Sequence, residues 1–471
     1  MMAGMKKLFG TDGMRGEAGR FPLDAATVRE AGRSLAAHLA ERLGRAPRLV
    51  AGRDTRESGG WIESAFLAGA REAGARVESA GVITTPGVAF LARTLPADAG
   101  VVISASHNPY QDNGIKIFAP SGRKLDDATE RLIEADIHAG RARAGEGGRQ
   151  ADESDDGAGL EVDEGGGHDG EGAAGLRARY LDYLADEVAD GLRLGGLTVV
   201  ADCANGAASE LAPALLSRLG ARVVALHVSP DGRNINRDCG SLHMDELRRR
   251  VAAEGAGVGV AYDGDADRAL FVDARGQVVD GDATLWVLAK RMQERGGLAG
   301  DRVVATVMSN LGLELALRSR GIELLRTDVG DKYVLEELLR AGASLGGEQS
   351  GHIIFPRTGL AGDGMLTTLN LLRVLIETGR PLGELTEGFT RLPQVLTNVR
   401  VREKLPFEEV AEVARCVRET EAALGDGGRL LLRYSGTEPL ARVMIEGERQ
   451  EEIERLADGL AEVIRRNLGA V

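Results

Sequence analysis

The stretch RLVAGRD, residues 48–54, carries the pattern from which the fold of this chain can be predicted. Its short apolar run ends in polar residues, which is typical of a buried strand that leads into a loop. Related stretches occur twice more, as LTVVAD at 197–202 and RVVAT at 302–306. Each is followed by a helical pattern, so the chain contains three copies of one strand–helix unit.

Each copy continues with two further predicted strands. The second strands are predicted at 74–77, 220–223 and 321–324, and each opens with a glycine, which suits the left-handed residue that ends a helix. The third strands are predicted at 99–103, 256–260 and 343–346. Strands that alternate with helices indicate βαβ units in parallel or mixed sheets.

The last part of the chain, from about residue 390, has a different pattern. A helix is predicted at 407–424, strands at 429–433 and 440–445, and a final amphipathic helix at about 450–468. This order of elements indicates a smaller α+β domain.

Polar loops follow the third strand of each copy, as SASHNP at 104–109, DGDADR at 263–268 and GEQSGH at 347–352. Ligands of open α/β sheets gather at the carboxyl ends of strands. The predicted fold class is therefore α/β, with three consecutive α/β repeat domains with mixed sheets plus a smaller C-terminal α+β domain around a central cleft. The predicted domains are residues 1–175, 176–275, 276–389 and 390–471.

The charge of the chain is unevenly distributed. Its 471 residues carry a formal net charge of −14, of which residues 144–175 carry −9. With 11 glycines and 10 acidic residues, that segment is predicted to be a disordered surface insertion. The remaining −5 is mildly acidic, and nothing in it indicates binding to nucleic acid.

Composition also bears on the compartment. No apolar run reaches the roughly 18 residues of a membrane span, and MMAGMKKLFG at the start lacks the apolar core of a signal peptide. Three scattered cysteines without a C-x-x-C pair suit a reducing cytoplasm and argue against a disulfide framework or a zinc site. We therefore expect a cytoplasmic protein that interacts with neither membranes nor nucleic acid.

The three loops and a fourth, RYSGT at 433–437, suggest phosphoryl chemistry. Three carboxylates within five residues, at positions 263, 265 and 267, favour a hard cation such as Mg²⁺, although a solvated acidic turn is the alternative. Arginine, hydroxyl and glycine in RYSGT suit a phosphate, with a plain hairpin turn as the alternative. No G-x-S-x-G, Walker A or kinase pattern occurs, so the phosphate is expected to come from the substrate itself.

The chain resembles the α-D-phosphohexomutases over nearly its whole length outside residues 144–175. The motifs that carry the resemblance are FGTDGMRG at 9–16, SASHNP with DNGIK at 112–116, DGDADR, GEQSGH and RYSGTEP at 433–439. Gln349 favours the branch that acts on glucosamine phosphates, because relatives that act on mannose and glucose phosphates more often carry methionine there. Such a mutase would supply UDP-N-acetylglucosamine and cell-wall synthesis.

The resemblance also implies roles for individual residues. Ser106 would carry a phosphoryl group, and Asp263, Asp265 and Asp267 would bind one Mg²⁺ together with a phosphoserine oxygen. The other catalytic candidates are Arg15, His107, Lys116 and Arg268, of which Lys116 is the candidate general acid or base. The candidate substrate-binding residues are Glu348, Ser350 and His352 for the sugar, and Arg433, Ser435, Gly436 and Thr437 for the phosphate that does not react.

The implied reaction passes through a glucosamine 1,6-bisphosphate, which would be both intermediate and activator. Ser106 would first be charged by a kinase or by autophosphorylation, and a homodimer is plausible. Three other functions stay open: a phosphomannomutase/phosphoglucomutase of the same family, a phosphosugar-binding regulator without turnover, and a Mg²⁺-dependent phosphatase.

Overall fold

The computed structural model of the protein describes residues 7–10, 12–146, 172–435 and 438–470. They form three α/β domains and a smaller C-terminal domain, each built on its own sheet. Within these residues, no helix has the length and apolar character that crossing a membrane would require.

The first domain is a mixed sheet covered by helices. Its strands are β1 (Phe9–Gly10), β2 (Gly13–Glu17), β3 (Arg48–Arg53), β4 (Arg76–Val82), β5 (Ala99–Ile103) and β6 (Asp112–Phe118). Its helices are α1 (Ala25–Leu43), α2 (Gly59–Glu72), α3 (Thr85–Thr94) and α4 (Asp127–Glu146), followed by α5 (Ala173–Asp182) and a π-helical turn at Tyr183–Val188.

The second and third domains repeat this arrangement. The second contains β7 (Thr198–Asp202), β8 (Arg222–Leu226), β9 (Val258–Tyr262), β10 (Ala269–Asp273) and β11 (Val278–Val279), with α6 (Ala208–Arg218) and α7 (Asp245–Glu254). The third contains α8 (Gly281–Glu294), β12 (Arg302–Thr306), α9 (Leu311–Ser319), β13 (Glu323–Thr327), α10 (Asp331–Ala341), β14 (Gly346–Gly347), β15 (Ile353–Ile354), α11 (Gly364–Thr378) and α12 (Leu382–Leu385).

The fourth domain is an antiparallel sheet backed by two long helices. Its elements are β16 (Gln394–Arg400), α13 (Ala411–Leu424), β17 (Gly428–Tyr434), β18 (Leu440–Gly447) and α14 (Gln450–Leu468). The buried acid Glu446 on β18 accepts hydrogen bonds from Asn310 and from the backbone N–H of Leu311, so it joins this domain to the start of α9.

The three α/β sheets share one strand order, which confirms the predicted fold class. The adjacent strands run β4-β3-β5-β6, β8-β7-β9-β10 and β13-β12-β14-β15. In each sheet the first three strands are parallel and the fourth returns antiparallel. Because parallel strands point the same way, the three polar loops all leave their sheets at equivalent ends.

Local sequence signals explain where the elements begin and end. Asp24 caps α1 by accepting a hydrogen bond from the backbone N–H of Thr27 at 2.9 Å. The glycines that were predicted to end three helices, Gly74, Gly220 and Gly321, have φ of 83°, 95° and 70°. An L-residue with a side chain adopts that region at a cost, so glycine is favoured there.

Three predictions need correction. The proposed insertion 144–175 is helical at both ends, since α4 continues to Glu146 and α5 begins at Ala173; residues 147–171 lie outside the described residues. The third strand of the third copy is Gly346–Gly347 and overlaps the predicted 343–346 at one residue only, because the ladder to β12 forms at 346 and 347. The helix predicted at 407–424 is a 3₁₀ turn at Phe407–Glu409 followed by α13.

Candidate active site

The segment SASHNP, residues 104–109, follows β5 and is called the serine loop below. Its two serines have different surroundings. Ser104 donates a hydrogen bond to Asp54 at 2.6 Å and accepts one from the backbone N–H of Ser106 at 2.9 Å. The Ser106 hydroxyl instead donates to Asp263 of the second domain at 2.6 Å. Ser106 also has φ of 54°, a left-handed conformation that is uncommon for a non-glycine residue and is concentrated at functional sites.

A buried ion pair contacts the backbone of the serine loop. Arg56 and Asp54 form a salt bridge in which both side chains are completely buried. Arg56 also donates to the carbonyl oxygens of Ser106 at 3.1 Å and Asn108 at 2.6 Å. Asn236 of the second domain donates to the same Ser106 oxygen at 2.9 Å. The loop is thus held from two domains at once.

Replacing Arg56 with methionine is therefore expected to destabilise the first domain by about 3 kcal/mol or more, because the buried Asp54 carboxylate would lose the only cation with which it pairs in the described part of the chain. The measurement is the midpoint of thermal or urea unfolding. Arg29→Met is the matched control, since Arg29 pairs with Glu72 at an exposed site where a pair contributes at most about 1 kcal/mol. Equal shifts in both variants would contradict the supporting role of Arg56.

The segment DGDADR, residues 263–268, is called the aspartate loop below and lies in direct contact with the serine loop. One carboxylate oxygen from each of Asp263, Asp265 and Asp267 lies within 4.8 Å of the others, and all three side chains are buried. A Cβ at Gly264 would lie 2.6 Å from the Ser106 carbonyl oxygen, so glycine permits the close approach of the two loops.

The donor set of this loop fits a hard divalent cation. Asp265 accepts from Thr85 at 2.5 Å, yet its Oδ1 atom and that of Asp267 are buried without a hydrogen-bond partner among the described residues. Burial and the neighbouring carboxylates of Asp267 and Asp265 raise the pKa of Asp263. Three crowded carboxylates with unused oxygens are the arrangement that a bound cation would stabilise.

Lys116 supplies positive charge beside these carboxylates. Its ammonium group is buried and lies 2.9 Å from Asp265, 3.3 Å from Asp12 and 3.6 Å from Asp267. Burial alone would lower the pKa of Lys116, but the three carboxylates outweigh that effect and raise it above its ordinary value. The side chain is therefore in its protonated form in this arrangement.

Two arginines and a histidine complete the surroundings of Ser106. The His107 Nδ1 atom lies 3.3 Å from the Ser106 hydroxyl and 3.2 Å from the Arg268 guanidinium. Burial, and then the charges of Arg268 and Arg15, lower the pKa of His107 to about 4, so the imidazole is neutral at pH 7. Arg15 contacts the Ala105 carbonyl oxygen at 3.4 Å and forms an ion pair with Asp12.

The GEQSGH loop of the third domain reaches the same network through His352. The two ring nitrogens of His352 lie 3.6 Å from Asp267 and 3.9 Å from Asp331. Burial would lower its pKa, but the adjacent Asp267 carboxylate and the other carboxylates nearby raise it to about 9. Glu348 accepts from Ser350 at 3.1 Å, and its Oε1 atom is buried without a partner among the described residues.

The residues predicted to bind the phosphate that does not react, at positions 433 and 435–437, belong to a separate domain, the fourth. Among the described residues, no hydrogen bond or ion pair joins Arg433 or Ser435 to the serine or aspartate loops. Arg433 points toward the Met308 sulfur of the third domain at 3.9 Å, and Ser435 is buried in its turn. Gly436 and Thr437 lie outside the described residues.

A cavity of about 450 Å³ opens beside the aspartate loop, between the first and third domains. Its volume lies in the range of sites for small organic ligands. The charged residues that line it include Asp12, Lys116, Lys124, Asp267, Asp331 and His352. Lys124 and Asp331 form an ion pair at 2.7 Å, which connects the two domains at this cavity.

Sequence reasoning missed several residues that contact the proposed site. Asp12 stood within a quoted motif but was assigned no role. Thr85 and Asn236 lie far from every motif, and no signal near them in the sequence marks them. Two basic residues also contact the fourth-domain turn that contains Ser435. Lys404 donates a hydrogen bond to the Ser435 carbonyl oxygen at 2.6 Å, and Arg442 lies 3.4 Å from the Ser435 hydroxyl.

Comparison with known proteins agrees with the four-domain architecture. The chain matches phosphoglucomutase/phosphomannomutase alpha/beta/alpha domain I over residues 6–144, domain II over 178–276, domain III over 280–392 and the C-terminal domain over 396–463. These matches follow the order of the four sheets.

Individual relatives were found by sequence and by structure. Phosphoglucosamine mutase of Solibacter usitatus is 50% identical, covering 98% of this chain and 99% of the relative. A phosphoglucomutase/phosphomannomutase family protein of Burkholderia thailandensis has the same fold, with a TM-score of 0.77 and 23% identity, covering 98% of this chain and 97% of that one.

N-acetylphosphoglucosamine mutase of Aspergillus fumigatus, solved with GlcNAc-6P and magnesium, also shares the fold. Its TM-score is 0.62 at 17% identity, covering 98% of this chain and 96% of that one. The match to all four domains and the identity over nearly the full chain lead to one conclusion: the chain belongs to the phosphoglucomutase/phosphomannomutase family.

Proposed function

We propose that the protein interconverts glucosamine 6-phosphate and glucosamine 1-phosphate by passing a phosphoryl group through Ser106. The observation that carries this proposal is the 2.6 Å contact between the Ser106 hydroxyl and Asp263, which places one serine against a cluster of carboxylates at a domain junction. The choice of an amino sugar is supported by full-length relatives named phosphoglucosamine mutase.

The reaction consists of two transfers that balance. In the first, the P–O bond of phospho-Ser106 breaks, the phosphoryl group bonds to O1 of glucosamine 6-phosphate, the O1 proton leaves, and the Ser106 oxygen takes up a proton. The glucosamine 1,6-bisphosphate then turns end for end. In the second, the Ser106 hydroxyl loses its proton as its oxygen accepts the 6-phosphoryl group, the P–O6 bond breaks and a proton is delivered to O6, which leaves glucosamine 1-phosphate.

Asp263, Asp265 and Asp267 would hold one Mg²⁺ together with an oxygen of phospho-Ser106. When bound, the cation offsets negative charge on the serine oxygen as that atom leaves or attacks. The Aspergillus fumigatus protein of the same fold binds magnesium together with a sugar phosphate.

The remaining charged groups would act on the phosphoryl group and its protons. Lys116 is the candidate general acid or base, but despite its burial the carboxylates of Asp12 and Asp265 raise its pKa above the range suited to proton transfer at neutral pH, so its first contribution would be positive charge beside the phosphoryl group. Arg15 and Arg268 lie beside Ser106 and His107 and would offset the charge of the equatorial oxygens.

The sugar and the phosphate that does not react would be bound by the other two domains. Glu348 and Ser350 would accept hydrogen bonds from the sugar, and the Glu348 Oε1 atom, which has no partner in the described part of the chain, is available for the substrate ammonium. His352 would orient the sugar next to the aspartate loop. Arg433, Ser435, Gly436 and Thr437 would hold the distal phosphate, which must be gripped in either orientation of the bisphosphate.

The test compares three substrates under identical conditions. With Mg²⁺ and a trace of the matching 1,6-bisphosphate, we expect kcat/KM to be at least about tenfold higher for glucosamine 6-phosphate than for glucose or mannose 6-phosphate. The difference arises because a neutral hydroxyl at C2 can donate a hydrogen bond to the Glu348 carboxylate but cannot form the stronger charged pair that the ammonium forms. A preference for glucose or mannose would reassign the protein to phosphomannomutase/phosphoglucomutase activity, and phosphate release without isomer would indicate a phosphatase.

A further inference from the structure

A second group of metal-ligand side chains lies in the second domain, outside the proposed active site. Asp202 ends β7, and His227 directly follows β8. Cys239 lies in the loop after β8, immediately before a short 3₁₀ turn at Gly240–Leu242. One ligand atom from each of the three residues lies within 4.8 Å of the others. Two loops therefore bring a carboxylate, an imidazole and a thiol to one point.

The three side chains are enclosed by protein. Asp202 and Cys239 are 0% and 1% exposed, and the His227 side chain is 21% exposed. The His227 Nδ1 atom faces inward, 3.1 Å from Asp202 Oδ1, and is buried without a well-aligned hydrogen bond among the described residues. Nitrogen and oxygen ligands of a tetrahedral zinc ion lie about 3.4 Å from each other, so this spacing needs little adjustment.

Neighbouring groups are arranged as they are around metal ligands. Glu246 lies 3.5 Å from the outer nitrogen of His227, Nε2, which leaves Nδ1 to face the cluster. A carboxylate behind a histidine is the usual support of a zinc-binding imidazole. Asn205 directs its amide toward the Cys239 sulfur at 4.0 Å, and Asp202 is oriented by the backbone N–H groups of Ala204 and Gly240.

We propose that Asp202, His227 and Cys239 form a second cation site, which takes a borderline-soft divalent ion of the zinc class. The thiol, imidazole and carboxylate together suit Zn²⁺ or Co²⁺ and not Mg²⁺, which prefers oxygen ligands. On binding, the Cys239 thiol releases its proton to solvent, so one thiolate and one carboxylate balance the charge of the ion. A water molecule would complete four-coordination.

The sequence pointed away from this site because its ligands are not spaced as in a zinc motif. His227 is 25 residues from Asp202 and 12 residues from Cys239, and the two cysteines 203 and 239 form no C-x-x-C pair. The site would also have a structural consequence. The same loop carries Asn236, which holds the Ser106 carbonyl oxygen, so an ion at Cys239 would fix the anchor of the serine loop.

Co²⁺ provides a probe that distinguishes the two sites. The protein is stripped with a chelator and titrated with Co²⁺ in excess Mg²⁺. We expect a thiolate-to-cobalt charge-transfer band in the near ultraviolet that saturates at one equivalent and is lost when Zn²⁺ displaces Co²⁺. Cys239→Ser should abolish the band, and His227→Gln should weaken Co²⁺ binding more than tenfold, since even the loss of a group that only hydrogen-bonds to a metal ligand costs roughly ten- to a hundredfold.

Two matched variants complete the design. Cys416→Ser removes the half-buried thiol of α13, and Asp265→Asn alters the aspartate loop; both should keep the band unchanged. Zn²⁺ should also raise the thermal midpoint of the wild type but not that of His227→Gln, a partly exposed position where the variant is expected to fold. The proposal is overturned if the wild type shows no thiolate band at saturating Co²⁺, or if the band survives Cys239→Ser.

Discussion

Replacing Ser106 with alanine is expected to lower kcat for glucosamine 6-phosphate by at least about a thousandfold, because the variant has no oxygen to carry the phosphoryl group. The hydroxyl makes a hydrogen bond to Asp263, so its loss should change the thermal midpoint by only a few degrees. The direct measurement is intact mass after incubation with glucosamine 1,6-bisphosphate. The wild type should gain one phosphoryl group and the variant should gain none.

Ser104→Ala is the matched control, two residues away in the same loop. Ser104 contacts Asp54 and the backbone N–H of Ser106 but does not reach the aspartate loop. We expect this variant to lose roughly tenfold in kcat through poorer positioning, about the value of one hydrogen bond, and still to accept a phosphoryl group. If Ser106→Ala retained turnover while Ser104→Ala lost it, the phosphoryl carrier would be assigned to the wrong serine.

Asp263→Asn is expected to lower kcat by at least about a hundredfold, because a bound cation supplies several kcal/mol of charge stabilisation during phosphoryl transfer. The same change should not destabilise the metal-free protein. Burial and repulsion from Asp267 and Asp265 raise the pKa of Asp263, so a neutral amide relieves crowding. The thermal midpoint without metal is thus expected to equal or exceed that of the wild type.

The response to metal separates this effect from a general structural defect. Mg²⁺ should raise the thermal midpoint of the wild type and have little effect on Asp263→Asn. Asp273→Asn serves as the control: Asp273 is equally buried in the second domain, but it pairs with Arg275 and accepts the backbone N–H of Gln277. That variant should be less stable yet keep its response to Mg²⁺. Normal turnover and an unchanged Mg²⁺ response in Asp263→Asn would rule out the aspartate loop as the metal site.

Much of the fold follows from the sequence alone. Apolar runs that recur with the same helical pattern predicted three α/β domains, and three mixed sheets of one strand order bear this out. Glycine at 74, 220 and 321 predicted helix ends, and each adopts positive φ. These features depend on residues close together in the chain, where periodicity and backbone preference act directly.

The residue types in the polar loops also predicted the kind of ligand that each loop suits. Carboxylates at alternate positions pointed to a cation, and arginine with hydroxyls and glycine pointed to a phosphate. The ends of helices and strands were predicted less accurately. Residues 144–146 and 173–175 belong to helices, although their glycine-rich and acidic neighbours suggested an insertion.

Only the tertiary structure decided which residues of the loops meet. Ser106 reaches Asp263 across 157 residues, Thr85 reaches Asp265 across 180, and Asp202 reaches Cys239 only because two loops leave neighbouring strand ends. Such contacts depend on how domains pack and have no local periodicity. The amino-acid sequence by itself therefore determined three repeated domains and the chemical character of their loops. Packing between domains decided which serine faces the carboxylates, because only packing brings side chains so distant in the chain within hydrogen-bond distance.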